Sequence, residues 1–154
     1  MRQLLLYNPC ISVAIIAWLL AQILKLLLST WATRRVDFSR LVDSGGMPSS
    51  HTAFVAGLTS MVGYYEGWHS TLFAVVFCIS LIIVYDATNL RRSAGYHAQV
   101  LNEVVPQLLT GKIIKEEFTF RRLRELLGHN PIEVFVGVIL GIAVAIVFVS
   151  LFVS

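Results

Sequence analysis

Two short stretches of the sequence combine side chains that can act on a phosphate group. The first is the run 45–51, Gly-Gly-Met-Pro-Ser-Ser-His. Its glycines permit positive φ and close backbone approach to a ligand, and Pro48 suits the first turn of a helix. Ser49, Ser50 and His51 add hydroxyls, helix N-terminal amides and an imidazole, which predicts an oxyanion cradle. The alternative is an ordinary capped helix start, although ordinary capping does not call for a histidine at a membrane boundary.

The second stretch pairs an imidazole with a carboxylate. His129 precedes Glu133 by four residues, which is one helical turn. At this spacing the carboxylate can accept the imidazole N–H and fix which ring nitrogen carries the lone pair. The spacing therefore predicts an imidazole that is held in one tautomer.

Composition places these stretches in a membrane protein. The chain has 154 residues, of which 56% are hydrophobic and only 14% charged. This apolar content exceeds what a soluble core of the same size uses. The formal net charge of +3 is confined to particular loops, so it indicates membrane orientation and anionic-lipid contact rather than nucleic-acid binding. Cys10 and Cys78 lie in apolar runs and indicate buried thiols.

The elements that must position the two stretches are helical. Four apolar segments, residues 10–28, 52–68, 71–84 and 131–153, predict transmembrane helices, the first of them a retained span rather than a signal peptide. Residues 93–128 are amphipathic and predict helices on the membrane surface, with Pro106 kinking or dividing the first. The predicted fold is a single all-α, polytopic membrane domain over residues 1–154. Gly137 and Gly141 form a GxxxG that favours close helix packing, and self-association through that face is a further expectation.

Cations accompany the two stretches. Lys25 lies three residues after Gln22 at the end of the first span, where it either snorkels or faces a polar cavity. Arg91 and Arg92 follow the third span; they either grip phosphate or fix topology as membrane-flanking charges. Lys and Arg number three between the first two spans, seven between the last two and none in the turn at 66–70. The positive-inside rule therefore predicts a cytoplasmic site and outside termini.

Several separated motifs together resemble one known group. The run 45–51, with Tyr85-Asp86-Ala87, Arg91-Arg92, Leu101-Asn102 and the run 128–134, is similar to the small divergent branch of the type 2 phosphatidic acid phosphatase and vanadium haloperoxidase superfamily. The resemblance extends over residues 22–141. It implies a phosphatase that forms a phosphohistidine without a metal or other cofactor.

The resemblance also assigns roles. His129 is the implied nucleophile, Glu133 stands where the superfamily has Asp, and His51 is the implied general acid. The implied phosphate ligands are Lys25, Ser49, Ser50, Arg91 and Arg92, with Asp86, Arg35 and Arg122 as further candidates. Three positions depart from the superfamily pattern: Ala32 replaces a first-motif residue, Ser50 replaces Gly, and Leu123 stands where the third motif has Arg.

The predicted function is hydrolysis of a lipid or isoprenoid phosphate at the cytoplasmic face of the cell membrane. Two alternatives remain: a non-catalytic protein that binds or scaffolds anionic lipids with the same pocket, and a small transporter. His69, in the predicted turn, and His97, on the amphipathic segment, are expected to be solvated or interfacial rather than catalytic.

Overall fold

The structure is a computed structural model that describes residues 7–34, 46–110, 123 and 129–153; at 90–92, 109 and 110 it describes the backbone alone. Five helices occupy the described residues, and they are connected in the order in which they are named. They are α1 (Pro9–Thr33), α2 (Ser50–Glu66), α3 (Thr71–Thr88), α4 (Leu90–Thr110) and α5 (Pro131–Phe152).

Local sequence signals set where these helices begin and end. Asn8 caps α1 through a hydrogen bond from the Ile11 N–H to its side-chain oxygen (3.2 Å), with Pro9 in the first turn. Ser70 caps α3 in the same way through the Phe73 N–H (3.1 Å). Gly67, at φ 86°, ends α2 and opens the predicted turn between α2 and α3.

The helix α2 is the central element of the bundle. It packs against α1, α3 and α5, and eight of its 17 residues are buried, whereas α3 buries only Ser80 and Ala87. Its backbone is about 25 Å long at about 1.5 Å per residue, which is short for a hydrocarbon core of about 30 Å. Its neighbours bury Ser50 and Thr52 and partly cover Thr59 and Ser60, whereas Tyr64 and Tyr65 at its far end are exposed.

Three stretches of the described chain are long and apolar enough to cross a membrane: Pro9–Thr33, Thr71–Leu108 and Pro131–Phe152. The chain is therefore an all-α membrane helix bundle, as predicted. The remaining predicted span, residues 52–68, corresponds to α2, which packs against α1, α3 and α5.

Small residues bring α2 and α5 together. A Cβ placed on Gly137 would lie 2.6 Å from the Ser49 carbonyl oxygen, and one placed on Gly141 would collide with the Ala53 carbonyl. The predicted close packing through GxxxG is confirmed, and its partner is α2 of the same chain. The two glycines are covered by α2 within this chain, and self-association stays a prediction.

The amphipathic region after α3 begins as one helix. Pro106 lies inside α4, which continues to Thr110, so of the two predicted alternatives the proline does not divide the helix. The second predicted amphipathic segment, 116–127, lies outside the described residues except for Leu123.

Candidate functional site

Backbone hydrogen bonds hold three helix ends together at one end of the bundle. The Ser49 N–H donates to the Glu133 carbonyl (3.0 Å), which joins the start of α2 to the start of α5. The His129 N–H donates to the Ala87 carbonyl (3.0 Å), which joins the residue before α5 to the last turn of α3. The two sequence stretches that carry phosphate chemistry are therefore neighbours.

The first helix contributes Lys25 to this end. Its side chain is only 3% exposed. Its aliphatic stem lies 3.4–3.8 Å from where a Cβ of Gly46 would stand, and Gly46 has φ 99°. A side chain at position 46 would therefore be strained by its backbone conformation, although its Cβ would meet Lys25 only in ordinary van der Waals contact. The predicted use of positive φ is confirmed at Gly46, while Gly45 lies outside the described residues.

The hydroxyl of Ser49 is buried and ordered. Ser49 is fully shielded from solvent, and Ser50 beside it is also buried. The Ser49 Oγ accepts from the Thr52 Oγ1 (2.9 Å) and from the Thr52 N–H (3.4 Å). Because both contacts use Ser49 as an acceptor, its own O–H remains a donor that can point to an oxyanion.

The start of α2 differs from the prediction in two respects. Ser49 is the N-cap and Pro48 precedes it, so Pro48 is not in the first helical turn. The amides of Ser49 and Thr52 both serve the protein's own hydrogen bonds. An anion here would consequently find fewer amides than the sequence suggested and would also need hydroxyls and cations.

His129 and Glu133 form the predicted imidazole–carboxylate pair. The His129 Nδ1 lies 2.9 Å from the Glu133 Oε2, and the histidine side chain is 2% exposed. With the proton on Nδ1, the carboxylate accepts it and the lone pair is on Nε2, which is the arrangement a nucleophilic histidine needs. Glu133 Oε2 also accepts the Asn130 N–H (3.3 Å), so the same carboxylate fixes the start of α5.

His51 lies in the first turn of α2, next to the buried serines, and its side chain is exposed. It is therefore on the segment that the Ser49–Glu133 bond joins to His129. We call the candidate residues at this end of the bundle the cluster: Lys25, Ser49, Ser50 and His129 are buried, and His51 is exposed to solvent. This position suits a group that exchanges protons with water.

The remaining predicted cations are less fully placed. Arg91 and Arg92 lie in the first turn of α4, a few residues after the Ala87 carbonyl that accepts from His129. Asp86 precedes Ala87 in the last turn of α3 and is half-buried. Arg35 and Arg122 lie outside the described residues.

Two other histidines lie apart from this cluster. His69 is in the turn between α2 and α3, at the opposite end of α2 from Ser49, and is exposed. His97 is exposed on α4. Among the described residues, no group of three or more His, Cys, Asp or Glu side chains is arranged to hold a metal ion.

Sequence reasoning missed three contributors. Thr52 orders the Ser49 hydroxyl, and its place three residues after an N-cap serine was a signal that pointed to it. Ala87 contributes only a carbonyl, which no side-chain pattern reveals. Asn102 donates to the Leu123 carbonyl and accepts the Leu123 N–H, both at 2.8 Å, and this pair of hydrogen bonds, which we call the clamp, holds Leu123 against α4.

Comparison with known proteins identifies the family of the chain. The model of the Divergent PAP2 family matches residues 6–144. A Bacillus subtilis (strain 168) protein, described as the uncharacterized membrane protein YuiD, is 36% identical, over 97% of this chain and 99% of its own length. No solved structure matches the chain. On the family match and this relative, the chain belongs to the Divergent PAP2 family.

Proposed function

We propose that this protein is a metal-independent phosphatase that hydrolyses a lipid or isoprenoid phosphate through a phosphohistidine. The observation that carries the proposal is the buried His129–Glu133 pair, with Nδ1 and Oε2 2.9 Å apart, joined by a backbone hydrogen bond to the Ser49 segment. A histidine held in one tautomer beside buried hydroxyl and ammonium donors is the constellation that phosphoryl transfer needs.

The reaction proceeds in two steps. The His129 Nε2 attacks phosphorus while the bond to the leaving oxygen breaks, and His51 donates a proton to the departing alkoxide or phosphate. Water then attacks the phosphohistidine, His51 takes the proton from that water, and the Nε2–phosphorus bond breaks to release phosphate. A positioned acid or base of this kind contributes about 10²–10⁴-fold to such a rate.

The phosphoryl oxygens are held by side chains in this proposal. Lys25, Ser49 and Ser50 are the buried donors, and one or both of Arg91 and Arg92 complete the charge from α4. Lys25, Ser49 and Ser50 are buried, so a hydrogen bond from one of them to a developing charge is stronger than at the surface. We assign Asp86, Arg35 and Arg122 no step.

We place the site at the cytoplasmic face of the cell membrane, with both termini outside. The support is the distribution of Lys and Arg between loops, together with the meeting of the start of α2, the end of α3 and the start of α5 at one end of the bundle. At this end of the bundle, a lipid whose phosphate lies at the level of the headgroups can reach the cluster without leaving the bilayer.

One observation favours a second function, binding of an anionic lipid without cleavage. Glu133 accepts the Asn130 N–H as well as contacting His129, so helix capping alone gives a reason for the pair. Leu123 also stands where the superfamily has an arginine. A scaffold that keeps its anion pocket while losing chemistry would have these properties.

Labelling with phosphate decides between the two. Purified protein in lipid nanodiscs, with a metal chelator present, is given a panel of ³²P-labelled lipid and isoprenoid phosphates. The phosphatase releases phosphate and incorporates acid-labile label, and His129→Ala abolishes both. His69→Ala is the matched control, since it removes an exposed histidine at the other end of α2. Retention of lipid without release or label in the wild type would establish the binder instead.

A further inference from the structure

An apolar groove runs along α2, between α3 and α5, from the candidate site toward the opposite end of the bundle. Its volume is about 340 Å³, and a hollow of about 420 Å³ adjoins it beyond Trp68. Both volumes lie in the range of about 300–1,000 Å³ that is usual for ligand pockets. The groove is lined from Thr52 through Val55, Leu81 and Val138 to Trp68.

The lining offers a ligand almost no hydrogen-bonding partner. The Ser80 hydroxyl donates to the Val76 carbonyl (2.8 Å) and contacts the Thr59 hydroxyl (2.8 Å). The Ser60 hydroxyl donates to the Ala56 carbonyl (2.8 Å). Because these polar groups are already bonded within the protein, the groove is complementary to hydrocarbon.

The groove begins at the phosphate cluster. Thr52 lines it, and the Thr52 hydroxyl donates to the Ser49 Oγ at 2.9 Å. A molecule whose phosphate rests on the Ser49 segment would have its next atoms at the mouth of the groove. The two features therefore suit the two parts of one amphiphile.

The far end of the groove is set by an indole. Trp68 folds back onto α2, so that a Cβ on Gly63 would lie 2.5 Å from its ring, and it packs edge-on against Phe73 with centroids 5.1 Å apart. From Thr52 to Ser60, the last residue of α2 that lines the groove, the helix rises about 12 Å, and the Trp68 ring lies about one turn further along, against Gly63. One leaflet of a hydrocarbon core of about 30 Å is about 15 Å deep. The groove thus matches a chain that spans one leaflet.

We propose that this groove binds one acyl chain of the substrate, a leaflet-forming lipid phosphate, and that Trp68 limits the length of chain accepted. The proposal rests on the phosphatase function proposed above, since it takes the Ser49 cluster as the phosphate site. Acyl chains shorter than the groove bury less apolar surface, and longer ones meet the indole ring.

The experiment uses monoacyl glycerol phosphates of graded chain length, with the purified full chain in nanodiscs. Trp68→Ala joins the groove to the adjoining hollow, so it raises kcat/KM for the longest chain relative to a leaflet-length chain by about tenfold, the effect of burying about two further methylene groups. Trp18→Ala, which removes an indole from α1, is the matched control and leaves this ratio within twofold. An unchanged ratio in Trp68→Ala overturns the role of Trp68.

A second pair of variants tests the groove itself. Leu81 lines the groove and is 52% exposed, whereas its neighbour Ile82 does not line it and is 68% exposed. Leu81→Trp fills the groove and lowers the ratio of long-chain to shortest-chain kcat/KM about tenfold; Ile82→Trp leaves it within twofold. Equal effects of the two variants would show that bulk lipid, not a bound chain, occupies this surface.

Photo-crosslinking separates failure of the groove from failure of the phosphatase. A monoacyl glycerol phosphate with a diazirine in its acyl chain should label peptides that contain Leu81 or Val138, and the same lipid without the diazirine should compete. Labelling without phosphate release in the wild type would remove the phosphatase and keep the groove. Phosphate release without chain-length dependence or localised labelling would remove the groove and keep the phosphatase. If a prenyl phosphate competed more strongly than the monoacyl glycerol phosphate, the proposal that the groove binds an acyl chain would be overturned.

Discussion

Replacing Gly141 by alanine tests the contact between α2 and α5 that positions the candidate site. A Cβ at position 141 would collide with the Ala53 carbonyl and would lie 2.8 Å from both the Ala56 Cβ and the Gly57 nitrogen. Two of these three atoms belong to the backbone of α2, so no side-chain rotation relieves the overlap. The two helices must separate.

Two opposing effects determine the size of the change. Overpacking of a well-packed interior costs about 1–3 kcal/mol of unfolding free energy, and backbone contacts place Gly141→Ala at the upper end. Alanine is the better helix former by about 1 kcal/mol, which acts in the other direction. The expected net result is a destabilisation of about 1–2 kcal/mol. Its sign is informative, because helix propensity alone predicts stabilisation.

The same seam contains a matched control. A Cβ on Gly57 would lie 3.4 Å from the Ala17 and Val13 side chains and 3.5 Å from the Gly141 carbonyl, which are ordinary contacts. Gly57→Ala should therefore be neutral or stabilising by up to about 1 kcal/mol. The assay is reversible unfolding in mixed detergent micelles, followed by circular dichroism. Stabilisation by Gly141→Ala, equal to that by Gly57→Ala, would refute the close approach of α2 and α5.

Three further substitutions probe the site and its support. Glu133→Gln should lower the rate of phosphate release, measured by enzyme kinetics, by about 10²–10⁴-fold, because the carboxylate no longer selects the tautomer of His129. The unfolding free energy should change by less than about 1 kcal/mol. Activity equal to that of the wild type would contradict the role of the His129–Glu133 pair. Lys25→Met should weaken phosphate affinity by about 10–100-fold, measured by competition, while stability holds or rises; unaltered affinity would exclude Lys25 as a ligand. Asn102→Leu should speed amide exchange at Leu123 by at least about tenfold, and Asn102→Asp, which keeps the acceptor for that amide, by less; no change would mean that the clamp is not formed.

Local features of the sequence predicted much of this arrangement. Hydropathy located the three stretches of the described residues that can cross the membrane, because a long apolar run has few stable alternatives in lipid. Spacing along one helical turn predicted the contact between His129 and Glu133, since residues four apart lie on one helix face whatever the rest of the fold does. These successes share a cause: each depends on interactions within one segment.

The role of α2 was harder to predict because hydropathy does not report what surrounds a helix. Its run of apolar residues is typical of a span, yet its small and hydroxylated side chains are buried against three neighbours. Small residues such as Ala53 and Gly57 can contact either lipid or a neighbouring helix. Only the placement of α1, α3 and α5 distinguishes these environments.

Contacts between distant segments were also beyond the sequence. GxxxG predicts close packing but does not name the partner, and the partner of Gly137 and Gly141 is α2 of the same chain. Asn102 and Leu123 are 21 residues apart, and the clamp uses backbone atoms of Leu123, which every residue type carries. No side-chain pattern could have predicted it.

The construction of the site explains how this chain can differ from the superfamily at Ser50 and Leu123 without losing the cluster. The bonds that assemble it run between backbone atoms, from Ser49 to Glu133 and from His129 to Ala87, and the packing beneath them depends on glycine. Side chains at the phosphate can therefore change while the helix ends stay in place. A substitution in the seam should act on stability and activity together, whereas one at Lys25 should act on phosphate affinity alone. That separation is what a scaffold held by its backbone implies.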